Sequence, residues 1–223
     1  PDPFNVGQPI GLQIDDIYSG VVQLPFNFCF YDSSFSELVI GSNGIVTFDT
    51  SQANQFCAWN ISDSIPDVTL PPFTILAPYQ DIDPTISGSI RTTVAGTAPY
   101  RRFIISYDDI GMFSCTNLRF SEQIILYETS NIIDIHIMEK PVCATWNGGA
   151  AILGIQKNGT TAQAVPGYNF PGQWTANLES WRFQPDGPCA GPLPQNLIVG
   201  KSFVDVDQDC NYDPAIDYPI ANR

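Results

Sequence analysis

The sequence predicts an all-β protein: an antiparallel β-sandwich of about ten short strands, stapled by disulfides. Three observations point there. Apolar residues recur with a period of two rather than 3.6, which is the strand pattern. No stretch long enough for a helix carries an amphipathic face. Turn formers are frequent, with 17 glycines and 19 prolines breaking the chain into short segments.

The strands follow in order. Residues 21–30 form the first. Residues 38–42 and 45–48 flank Asn43-Gly44, the dipeptide preferred in two-residue type I′ turns, and so predict a hairpin. Residues 73–79 and 88–94 supply the next two. Within 101–107, Phe103, Ile105 and Tyr107 share a face. Within 132–137, Ile133, Ile135 and Ile137 point one way while Asp134 and His136 point the other, as in a half-buried antiparallel strand. Thr129-Ser130-Asn131 turns residues 123–128 back into that run, and Asn158-Gly159 ends the strand at 151–156. Residues 180–183 close the series.

The sandwich is expected to span residues 1–187. Pro185, Pro188, Pro192 and Pro194 then mark a composition break, so 188–196 is expected to be a stiff, extended linker. Residues 197–223 hold one strand and an Asp-rich loop, too few for a core of their own. They are expected to be the truncated start of a second domain, which a resemblance of its first residues to adhesin repeats implies is Ig-like.

Apolar residues make up 43% of the chain and aromatic residues 12%, which excludes a disordered segment. The 23 acids outnumber the 9 bases for a net charge of −14. Such a surface repels phosphate backbones and anionic lipid, so neither nucleic acid nor a membrane surface is an expected partner. No apolar run is long enough to cross a bilayer. His136 is the one histidine, which leaves little for histidine-based catalysis; it sits beside Asp134 on a polar strand face and is expected to be solvated.

Six cysteines stand at Cys29, Cys57, Cys115, Cys143, Cys189 and Cys210, none in a CxxC pair. With one histidine, structural zinc is not expected. An even count in an acidic, turn-rich chain reads as disulfides formed in an oxidising compartment, hence an extracellular or cell-surface location. About fifteen pairings are possible. The simplest is sequential: Cys29–Cys57 and Cys115–Cys143, each 28 positions apart, and Cys189–Cys210, 21 apart.

Several motifs together resemble a known family. Residues 24–31 (LPFNFCFY), 38–48 (LVIGSNGIVTF), 75–83 (ILAPYQDID), 103–107, and 151–156 running to Pro166-Gly167 are similar, in this order, to nidogen-type extracellular domains. The closing 179–187 (ESWRFQPDG) resembles the version found in large surface proteins of gliding Bacteroidota that are exported by type IX secretion. The tail from Val199 to Asp217 resembles the start of the calcium-binding B-type repeats of surface adhesins, with Ile216 where an acidic ligand is usual. The resemblance implies an adhesin or stalk module, not an enzyme. Its partners would be other domains of the same chain and surface glycans or surface proteins. It also makes Asp63-Ser64-Ile65 similar to the Bacteroidota O-glycosylation acceptor, with Ser64 as the modified residue.

The Asp-rich tail is the expected metal site. Asp205, Asp207, Asp209 and Asp213 occupy loop positions 1, 3, 5 and 9, Asn211 would offer its carbonyl at 7, and Asp217 stands at 13. Alternating oxygen ligands over a dozen residues suit calcium. The loop is not a standard EF-hand, since Cys210 replaces the glycine at position 6 and no glutamate stands at 12. Trp146 and Trp174, in Gly/Asn/Pro-rich loops, are candidate sugar-stacking residues for an alternative function, a carbohydrate-binding module of a secreted polysaccharide-degrading enzyme. Asp81 and Asp83 share a strand face and so can approach one point, as a metal clamp or a carboxylate pair requires, but an Asp-rich turn capping backbone amides is the expected role.

Overall fold

Two antiparallel sheets absorb the period-two pattern. The structure, a computed structural model, describes residues 1–12, 14–170 and 173–187, with the backbone of short strands beyond them at 195–200, 203–204 and 218–219. In chain order the strands are β1 (Gln8–Pro9), β2 (Val22–Phe30), β3 (Ser33–Ile40), β4 (Ile45–Thr47), β5 (Thr74–Tyr79), β6 (Ile82–Asp83), β7 (Ser89–Ala95), β8 (Arg102–Met112), β9 (Arg119–Tyr127), β10 (Ile133–Lys140), β11 (Ile152–Asn158), β12 (Thr161–Asn169), β13 (Ala176–Pro185) and β14 (Gln195–Gly200). Among the described residues the helical segments are two 3₁₀ turns, Thr50–Gln52 and Asn147–Gly149.

The first sheet has eight strands, ordered β1-β7-β8-β9-β10-β13-β14 with β6 also on β8. The second has six, ordered β12-β11-β5-β4-β3-β2. This is the predicted sandwich with more strands than expected. The additions are mostly short or polar. β12 (TAQAVPGYN) lacks alternation and carries a proline, which an edge strand tolerates because its outer amides need no partner.

One core draws on both sheets: Phe103, Ile105, Tyr107, Ile124 and Ile135 from the first, Phe28, Phe30, Leu38, Ile40 and Ile75 from the second. A second cluster uses the alternate residues of sheet two, Val39, Ile45, Leu76 and Ile152, packed with Tyr18, Cys57, Ile61 and Ile65 from the connecting segments. Both faces of these strands are therefore covered. That explains the unbroken apolar runs at 38–40, 75–77 and 151–155, which differ from the simple alternation of β10.

The disulfide Cys115–Cys143 forms as expected, joining the segment after β8 to the segment after β10. The expected Cys29–Cys57 bond does not. Cys29 is disulfide-bonded, whereas Cys57 is a buried free thiol. Its position in the second cluster is the reason: burial there pushes the thiol pKa up to about 12, and packing rather than cross-linking fixes the residue. Cys189 and Cys210 lie outside the described residues.

The strand expected to open the second domain pairs with β13, from Pro185↔Gln195 to Ser180↔Gly200, and so extends the first sheet beyond the proline-rich segment. Two further short strands, β15 (Phe203–Val204) and β16 (Tyr218–Pro219), pair with each other.

Candidate functional site

The tip of the β3–β4 hairpin gathers the most polar chemistry among the described residues. The turn is not the expected type I′. Gly41 N donates to Ile45 O at 2.7 Å, enclosing three residues, and only Gly44 has a left-handed φ, at 71°. This is the pattern of a type I turn followed by a left-handed glycine. A Cβ on Gly44 would sit 2.2 Å from Pro78 O, so the position admits no side chain.

The three-residue turn directs Asn43 inward, where it is fully buried. Its Nδ2 donates to Asp16 Oδ1 (2.9 Å), Cys57 O (3.2 Å) and Ala58 O (3.3 Å). Its Oδ1 accepts from Ile82 N at 3.3 Å. One amide thus joins the N-terminal segment, the loop after β4 and the segment after β5. Ser42 completes the seam: its N donates to Ile17 O at 2.9 Å and its Oγ accepts from Ile17 N at 3.1 Å.

Three carboxylates meet beside this amide. One oxygen from each of Asp15, Asp16 and Asp81 lies within 4.8 Å of the others. Asp15 and Asp16 are half-buried, and Asp81 is 7% exposed. Asp81 Oδ2 accepts from Trp146 Nε1 at 2.6 Å, while its Oδ1 is buried without a partner among the described residues. No lysine or arginine ion pair found among the described residues involves any of the three. The electrostatics follow. Burial, together with Asp16, Asp15 and Asp83, pushes the Asp81 pKa up to about 7 against the pull of the Trp146 hydrogen bond. Burial and the adjacent Asp16 push Asp15 up to about 6. Burial also raises Asp16, despite the Asn43 hydrogen bond.

Trp146 is placed by the disulfide. Its N donates to Cys143 O at 3.1 Å, and its ring packs against Trp59 and Phe113, with centroids 5.5 and 4.8 Å away. Beside it lies a cavity of about 10 Å³ bordered by Gln80, Asp81, Lys140 and Asn147, large enough for one water. Gln80 Nε2 is buried without a partner among the described residues. Lys140, fully buried, turns away: its Nζ donates to Trp174 O at 2.9 Å and lies 4.3 Å from the centre of the Trp174 ring. Burial pushes its pKa down to about 7.

The residues expected from the sequence have varied placements. Asp83 caps a turn, accepting from Thr85 N at 2.7 Å, whereas Asp81 joins the carboxylate cluster; the pair divides between the two roles considered for it. Trp174 is a core residue, 8% exposed, stacked on Tyr168 at 4.1 Å and donating to Ala151 O. Trp174 therefore presents no free ring face of the kind a sugar platform needs, while Trp146 is partly buried against Trp59 and Phe113. Ser64 is half-buried and donates to Asp63 Oδ1 at 3.2 Å. Asp205, Asp207, Asp209, Asn211, Asp213 and Asp217 lie outside the described residues. Asp15 and Asp16 were not singled out from the sequence, and neither was Asn43 as a hub. The signal for the first two is a bare Asp-Asp pair, and only the fold brings it to Asp81.

Comparison with known proteins gives one result. A family model described as NIDO related matches residues 2–181, most of the chain and nearly all of the sandwich. No curated protein and no solved structure matches the chain.

Proposed function

Because the chain belongs to the NIDO-related family, we propose that it is a non-enzymatic extracellular module of a longer cell-surface protein, acting in adhesion or in the stalk or fibre that presents other domains. The family match across residues 2–181 carries this reading. The Cys115–Cys143 disulfide supports it, since such bonds persist in oxidising compartments. So does β14, which pairs with the sandwich edge and gives the following chain a hydrogen-bonded point of departure. The resemblance of residues 179–187 to type IX-exported surface proteins of gliding bacteria supports the reading that the parent protein belongs to that setting. There, the tail from Asp205 would bind calcium and stiffen the junction with the next module, and Ser64 would carry a glycan. The carbohydrate-binding alternative loses one of its two tryptophans, since Trp174 is buried in the core.

Deleting residues 1–187 from the parent gene in its source cells tests the role. Loss of surface attachment or surface spreading, with the rest of the protein still exported, is the expected result. Unchanged attachment and spreading in cells that export the shortened protein contradicts an adhesive or stalk role.

A further inference from the structure

We infer that Asp15, Asp16 and Asp81 form a calcium site that clamps the N-terminal segment to the β3–β4 hairpin tip and to the end of β5. The donor geometry fits. Two oxygens on one calcium ion, each 2.3–2.6 Å from it, lie at most about 5 Å apart, and the three carboxylate oxygens fall within 4.8 Å of one another. A set made only of oxygen donors does not favour zinc.

The cluster alone would be an acidic patch. Asp81 adds a separate observation. It is more than nine-tenths buried, it contributes an oxygen to the cluster, and its Oδ1 has no partner among the described residues. A buried carboxylate without a partner is costly, and a cation offsets that cost directly. The surroundings are built to hold the group in place. Trp146 fixes one oxygen of Asp81, and Asn43 fixes one oxygen of Asp16 while also tying down the segments on either side. Asp83, on the same short stretch as Asp81, adds a fourth negative charge nearby. The remaining coordination sites fall to backbone carbonyls and water, as is usual for calcium. The site is distinct from the aspartates of the tail, and it does not depend on an adhesive role for the module.

The test uses the full 223-residue chain with Asp205, Asp207 and Asp209 changed to asparagine, so that the tail cannot supply the signal. Terbium is the first probe, because Trp146, hydrogen-bonded to Asp81, is placed to sensitise its luminescence. The expected result is sensitised emission that calcium displaces and that falls at least about tenfold in Asp16→Asn, since even the groups that orient a metal's ligands commonly carry that much affinity. Asn at position 16 keeps an oxygen for Asn43, so the fold is retained. Asp63→Asn, at an exposed turn, should leave emission unchanged. Thermal unfolding in calcium at about tenfold over its dissociation constant should raise the midpoint by roughly 3–6 °C relative to chelator, and Asp16→Asn should abolish the shift. Emission that is absent, or equal in the parent chain and in Asp16→Asn, overturns the site. So does a midpoint that calcium leaves unmoved.

Discussion

Single side chains decide much of the chemistry, and His136 shows how a surface reading fails. It lies opposite Ser180 in the β10–β13 ladder, with Nδ1 2.7 Å from Ser180 Oγ, half-buried rather than solvated. Burial is the first cause that pulls its pKa down to about 4, followed by the N-terminal amine; Asp134 and Asp2 oppose the shift and Arg182 adds to it. The unfolded chain therefore binds a proton there more readily than the folded one. Stability from this residue is complete above about pH 6.5 and is lost as pH falls towards 4. The difference in unfolding free energy between wild type and His136→Gln should slope across that window and be flat above it; a flat difference throughout would show that burial does not shift this residue. Cys57 makes a second residue-scale case. As a buried thiol with a raised pKa, it should resist alkylation until the chain unfolds, and peptide maps should find Cys29 in a disulfide-linked peptide lacking Cys57. A Cys29–Cys57 cross-link in those maps would contradict the packing.

At the scale of elements, the strands and the hairpin pairs β3–β4 and β9–β10 are legible in the sequence, and the order of strands within each sheet is not. Period two marks β2, β7, β8, β9 and β10, because each keeps one face in the core, while β5 shows as an unbroken apolar run covered on both faces. Residues 43–44 show the limit. The Asn-Gly pair marked the hairpin correctly, but the turn is a three-residue loop that spends its asparagine on the interior instead of on a left-handed corner. No local signal distinguishes the two, since the difference lies in Asp16, Cys57 and Ile82, which arrive from elsewhere in the chain. The turn makes a direct prediction. Gly44→Ala meets both a left-handed φ and a backbone oxygen 2.2 Å away, and should cost at least about 2 kcal/mol in denaturant unfolding. A neutral effect would mean the turn relaxes freely. The disulfide acts on the same end of the fold. Replacing Cys115 and Cys143 by alanine opens a link spanning 28 residues, and should lower stability by roughly 3 to 4 kcal/mol. It should also shift Trp146 fluorescence, because Cys143 O holds that loop; unchanged emission would separate the tryptophan from the disulfide.

For the whole molecule, composition argues against nucleic-acid binding and for an oxidising compartment, and the order of motifs points to the family that the model match shows. The candidate cation site could not be read that way. Its aspartates lie at positions 15, 16 and 81, separated by four strands, and they converge only because the segment after β5 returns to the hairpin tip. Sequential pairing of the six cysteines holds for Cys115–Cys143 and fails for Cys29–Cys57, since equal spacing says nothing of which thiol a cluster will enclose. The chain is an acidic, disulfide-braced sandwich of the NIDO-related family, and its display outside the cell as part of a longer chain is the proposal to be tested. Protease shaving of intact source cells, followed by peptide mapping without reductant, tests it most directly. The account predicts that peptides from residues 1–187 are released without lysis and that Cys115 and Cys143 are found linked. Peptides obtained only after lysis, with both thiols reduced, would contradict it.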